Sequence, residues 1–220
     1  MTHAQDTIDT RAPGIALTAS ALTAVFAMAH HPTAGGGDFL AFARNVERIA
    51  ALNEAVHGVL IALVAVITWG LVVFALRRGV GSPFVTLGLV AWAIGVAGMT
   101  VAPIFNGFVL VDVARRALAS PGTSDVLRAA FQTLSAAVGV VAVIGALGMS
   151  AAMCFWSADL TRNAGAVRWV GGGGLAAGAI LVLALLTGIV RLNLGGMTLV
   201  LAVWSAWFVA VGALMILRKV

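Results

Sequence analysis

Residues 53–76 read NEAVHGVLIALVAVITWGLVVFAL, and from Gly58 to Leu76 no side chain is ionisable. As a helix this stretch rises roughly 36 Å at about 1.5 Å per residue. That is enough to cross a hydrocarbon core of about 30 Å. Five further stretches, residues 13–31, 83–106, 134–157, 169–190 and 196–217, are apolar and long enough to do the same. The whole composition agrees: 61% of residues are hydrophobic, 10% are charged, and the mean hydropathy is +1.07. A water-soluble domain needs about 25% charged residues to coat itself. The chain therefore reads as an all-α, polytopic membrane helix bundle of about six transmembrane helices. Residues 1–12 form a polar tail, and 13–220 form a single membrane domain whose first partner is the lipid bilayer. A secreted disulfide scaffold, a nucleotide-binding α/β enzyme and an ordinary nucleic-acid binder are excluded. The lone Cys154 has no partner for an internal disulfide and reads as a small buried apolar side chain.

Basic residues near the span ends set the expected orientation. Arg11, Arg77, Arg78, Arg162, Arg168, Arg218 and Lys219 fall on one side, and Arg44, Arg48, Arg115, Arg116, Arg128 and Arg191 on the other. Four of the latter six lie well away from any span end, whereas Arg77-Arg78 and Arg218-Lys219 abut theirs. The reading is an integral protein of the bacterial inner (cytoplasmic) membrane with both termini in the cytoplasm. Trp69, Trp156 and Trp169 sit where an interfacial aromatic belt would. Ala27-Met28-Ala29 has the small-x-small form of a leader cleavage site, but Asp6, Asp9 and a single Arg11 do not make a basic leader. The first stretch is therefore read as a retained span.

The two longer outer connections read as short amphipathic helices. Asp38 is placed to cap a helix after Gly35-Gly36-Gly37. Phe39, Phe42, Val46, Ile49, Asn53 and His57 then recur at three- and four-residue steps as one stripe. This helix either runs straight into the second span or bends near Asn53. In the other connection residues 112–119 read as helix, Ser120-Pro121-Gly122 as turn, and Asp125 as the next cap. Sliding residues 38–69 by 87 gives ten identities in 32 positions, from Asp38/Asp125 to Trp69/Trp156. Hairpins one–two and three–four are thus expected to be a parallel duplication. Gly174-x-x-x-Gly178 and the Ala202, Ala206, Ala210 stripe are expected to be close-packing faces. Asp159 is expected to be solvated or paired with Arg162, and Asp112 to pair with Arg115 or Arg116.

One cluster carries chemistry. His30 and His31 end the first span, and His57 lies about one turn inside the second, so an antiparallel hairpin puts all three at one depth. Imidazoles bind zinc, copper or haem iron, and Met28 offers a soft thioether. Glu54, about 60° around the helix from His57, could be a ligand, an acceptor or a proton carrier. The candidate metal set is therefore His30, His31, His57, Glu54 and Met28. The plainer reading is that His-His-Pro ends a helix in the wet interface and His57 bonds a neighbouring helix. No recognised ligand motif such as His-Glu-x-x-His is present. Two other functions fit the same residues: a small-solute or proton-coupled transporter with Glu54 and His57 at its mouth, and a non-catalytic assembly subunit that docks a membrane partner, or another copy of itself, on an exposed Phe39–Phe42–Ile49 patch. No residue pattern decides whether the chain is an enzyme.

Overall fold

The computed structural model describes residues 8–220 (of Pro121, the backbone alone); His3 and Asp6 lie outside the described residues. Lipid offers no hydrogen bonds, so a spanning backbone must satisfy itself internally, and every span is a helix. They are α1 (Arg11–Ala29), α2 (Phe39–Arg78), α3 (Pro83–Ile104), α4 (Leu110–Ala119), α5 (Ser124–Leu160), α6 (Gly165–Leu186) and α7 (Leu194–Ile216). Among the described residues six helical segments are long and apolar enough to cross a membrane, α3 and α4 counting as one. The chain is an integral membrane protein with an all-α six-helix bundle.

Asp38 caps α2 as its position implies, its side chain accepting from the Ala41 amide at 2.7 Å. The amphipathic stretch after Asp38 runs without a break into the second span, giving one 40-residue helix roughly 60 Å long. Asp125 does not cap α5: Thr123 holds the cap position and Asp125 lies in the first turn. Between α3 and α4 the chain stays helical but widens into a π-turn over Phe105–Val109. Pro103, inside the last turn of α3, has no N–H for the Met99 carbonyl. A helix relieved of one rung in this way readily takes an extra residue into its next turn.

Close helix packing follows glycine. A Cβ on Gly98 would sit 2.7 Å from the Gly145 Cα, and one on Gly148 would sit 2.7 Å from the Gly95 amide. So α3 and α5 meet backbone to backbone. Gly14 and Gly212 bring α1 onto α7 in the same way, and Thr10 Oγ1 donates to the Met215 carbonyl at 2.7 Å. The described N-terminal segment and the C-terminus therefore share one end of the bundle. Gly174 and Gly178 do pack as expected, against Ser157, Trp207 and Cys154. Ala202 and Ala206 do not: they face outward, because Trp204, Trp207, Phe208 and Val211 occupy the inner face of α7.

The termini end of the core is aromatic. Trp156 and Trp207 stack with their planes 2° apart, and Phe74 meets both edge-on. Trp156 is thus fully buried and no part of an interfacial belt, unlike Trp69 and Trp169, which are exposed. At the same end Asp159 pairs with Arg78 at 2.7 Å and accepts from Ser82 Oγ at 3.0 Å. Arg162, its expected partner, lies over the Phe84 ring instead. The duplication would make α2 and α5 counterparts. They are similar in length, and α1 packs on α2 as α3 packs on α5; the halves differ in that α1 also lies along α7, and Trp69 is exposed where Trp156 is buried.

Candidate functional site

At the opposite end, α1, α2 and the π-turn converge on two imidazoles. His31 lies two residues beyond α1, its amide held by the Met28 carbonyl at 3.2 Å. His57 lies on the inner stripe of α2 and is 4% exposed. The two Nε2 atoms are 3.4 Å apart, with ring centroids 4.8 Å apart and planes crossed at 80°.

The other ring nitrogens determine what those two present. His31 Nδ1 donates to the Pro32 carbonyl and His57 Nδ1 to the Asn53 carbonyl, both at 2.8 Å. A carbonyl oxygen only accepts, so each Nδ1 carries the hydrogen and each neutral ring leaves Nε2 as a bare acceptor. Burial lowers the His31 pKa, an effect the Pro32 bond opposes. Two lone pairs thus face each other across 3.4 Å. Asn106 Nδ2 donates to one of them, His57 Nε2, at 3.2 Å. A carbonyl-anchored imidazole with a free Nε2 is the arrangement metal-ligating histidines use.

The π-turn builds the back wall. It seats Gly107 so tightly that a Cβ there would lie 2.6 Å from the His57 Cβ. It also turns the Asn106 and Gly107 carbonyls toward Asn53, whose Nδ2 donates to them at 3.5 and 3.4 Å. Asn106 joins the site through this turn. Its sequence signal was slight: an amide at the end of an apolar span, three residues after a proline.

The remaining expected ligands are placed differently. His30 is exposed, donates from Nδ1 to the Phe26 carbonyl at 2.8 Å, and packs on the Phe26 ring. Glu54 turns to α4, where Arg115 bridges it at 3.0 Å and Glu47 at 2.8 Å; Arg116 takes Asp112 at 2.7 Å. Met28 is buried and lines the same cavity as His31 and His57. Among the described residues no group of three or more His, Cys, Asp or Glu side chains is placed to hold a metal ion. Any such ion would rest on two imidazoles and softer or neutral donors.

A cavity of about 400 Å³ runs between α1, α2, α3, α5 and α7 and extends to both sides of the imidazoles, from Phe42 to Ile67 along α2. Phe42 and Ile49 line it, and Phe39 and Phe42 pack edge-on against Phe131 of α5. The stripe expected as an exposed docking patch is therefore folded largely inward. Comparison with protein families, with characterised proteins and with solved structures finds no match.

Proposed function

We propose that this integral membrane protein binds one d10 transition-metal ion, copper(I) in preference to zinc, between His31 and His57 at the outer face of the membrane. The observation that carries the reading is the 3.4 Å separation of two carbonyl-anchored, hydrogen-free Nε2 atoms. Two metal–imidazole bonds of about 2.0–2.1 Å meeting at the tetrahedral angle hold their nitrogens about 3.3–3.4 Å apart. A linear ion would need about 4.1 Å and cis ligands in a square plane about 2.9 Å, from the same bond lengths. Axial ligation of one haem would place the rings on opposite faces of a macrocycle, roughly 4 Å between nitrogens. These rings instead touch edge to face. Met28 lines the same cavity, and a thioether beside imidazoles favours copper(I) over zinc. His30 and Glu54 stand outside this ligand set.

A transporter is less well supported. Polar side chains of the cavity lining gather around His31, Asn53, His57 and Asn106, and toward the termini end the lining is apolar, with Trp92, Trp204 and Phe208. The inward-folded aromatic stripe likewise takes away the patch on which the assembly-subunit reading relied. The test is a copper(I) titration of the purified full-length protein against a chromophoric chelator. One ion per chain is expected, with binding lost in His31→Ala and in His57→Ala and weaker retention of zinc. Wild-type protein that retains no copper(I), or variants that bind as it does, would overturn the proposal.

A further inference from the structure

On the termini side of the imidazoles the cavity is lined by thioethers that the imidazole pair does not use. Met99 of α3, Met149 of α5 and Met197 of α7 each reach it, and with Met28 they make four of the chain's seven methionines. The 33 lining residues are about a seventh of the 220 in the chain, a share that would bring about one methionine. Methionine is also the ordinary filler of irregular gaps in a core, so placement and surroundings have to decide between packing and binding.

Neighbouring contacts set the heights of the three. A Cβ on Gly145 would sit 3.0 Å from Met99 Cγ, and one on Gly95 would sit 2.7 Å from Met149 Cγ. Both side chains therefore start in the seam where α3 meets α5, with roots one turn, about 6 Å, apart. Trp204 of α7 donates to Ser150, the neighbour of Met149, at 3.1 Å. Met197 lies seven residues back along α7, about 10 Å, which brings it near the height of Met99. Met99 is in turn seven residues, about 10 Å, from Asn106, whose amide donates to His57. The three roots thus come from three helices and lie beyond the reach of the imidazole nitrogens.

No harder donor competes there. Trp92 Nε1 donates to Thr68 Oγ1 and Trp204 Nε1 to Ser150 Oγ, each at 3.1 Å. Among the described residues no carboxylate, imidazole or hydroxyl lines the cavity between Met99 and Phe208. A divalent ion would find no anion to offset the cost of burying its charge. A soft monovalent ion suits neutral, polarisable sulfur.

We infer that Met99, Met149 and Met197 form a second site, for a soft monovalent d10 cation such as copper(I) or silver(I), separate from the imidazole pair. It shares the metal of the copper reading and none of the ligands proposed for it. Each thioether turns about three bonds, and metal–sulfur bonds of about 2.3 Å let side chains rooted at these heights converge on one ion. A thioether is a weak donor, so this site fills second and yields its ion to a strong chelator.

The test is native mass spectrometry of the full-length protein in detergent, with silver(I) in modest excess and no chelator. Wild type is expected to hold two ions per chain, His57→Ala one, and the combined Met99→Leu, Met149→Leu, Met197→Leu variant one. Leucine conserves the volume of methionine, so the sulfur alone is removed. Met153→Leu, at a buried methionine outside the cavity lining, should still hold two. X-ray absorption at the silver edge of His57→Ala should show a shell of sulfur alone, a readout that stands even if the combined variant fails to fold. Failure of the imidazole reading alone looks different: wild type would hold one ion, kept in His57→Ala and lost in the combined variant. Equal silver in wild type and the combined variant, or His57→Ala without a sulfur-bound ion, would overturn the inference.

Discussion

Gly107→Ala perturbs the site through a single methyl group. In the native packing that carbon would lie 2.6 Å from the His57 Cβ, 2.7 Å from its Cγ and 3.1 Å from its Nδ1. Ordinary contact between carbons is about 3.5–4.0 Å, so His57 or the π-turn must move by about 1 Å. The near atoms are the stiff root of the imidazole, so a rotamer change cannot absorb the clash. Overpacking of this kind costs about 1–3 kcal/mol. A displacement of about 1 Å also takes the two Nε2 atoms out of the 3.3–3.4 Å tetrahedral window in whichever direction the ring moves. Copper(I) affinity should therefore fall about 10–100-fold, the usual effect of disturbing a ligand's support. The control is Gly58→Ala, one residue along α2, where an added Cβ meets nothing within 4 Å. There the gain in helix propensity should stabilise by about 0.5–1 kcal/mol and leave affinity unchanged. Thermal melting followed by circular dichroism and the chelator competition give the two readouts. A Gly107→Ala protein that melts and binds like wild type would refute the claim that the π-turn holds His57 in place.

Three further outcomes are expected. Gly98→Val, with a Cβ 2.7–2.8 Å from the backbone of Gly145 and the Val141 carbonyl, should force α3 from α5 and destabilise by at least the 1–3 kcal/mol of an overpacked core, read as a lower melting temperature. Asp159→Asn leaves the largely buried Arg78 without its charge partner and should cost about 3–5 kcal/mol, whereas copper(I) affinity, measured at the far end of the bundle, should not move. His30→Ala and Glu54→Gln should each bind copper(I) as wild type does, since one ring lies on Phe26 and the carboxylate lies with Arg115; a tenfold loss in either would return that residue to the ligand set.

The spans were legible in the sequence because lipid solvation demands long runs without charge, and 58–76 is such a run. The meeting of His31 with His57 was legible too, since hairpin topology places the end of one span beside the start of the next. His30 could have been set aside by the same geometry: neighbours on a helix end point about 100° apart, so both could not face one pocket. Three features resisted. Glu54 finds Arg115 61 residues away, a pairing no local pattern marks. The π-turn that recruits Asn106 and seats Gly107 depends on how the helix after Pro103 relieves its missing rung. Trp156 sits at a depth suited to an interface, and only the packing of Phe74 and Trp207 around it makes it a core residue.

X-ray absorption at the copper edge of the copper(I)-loaded protein examines the imidazole pair most directly. The account predicts a shell containing two imidazole nitrogens at about 2.0 Å with sulfur at about 2.3 Å, and loss of the imidazole signature in His57→Ala. A shell of oxygen alone, a single imidazole, or copper below one ion per chain would contradict it.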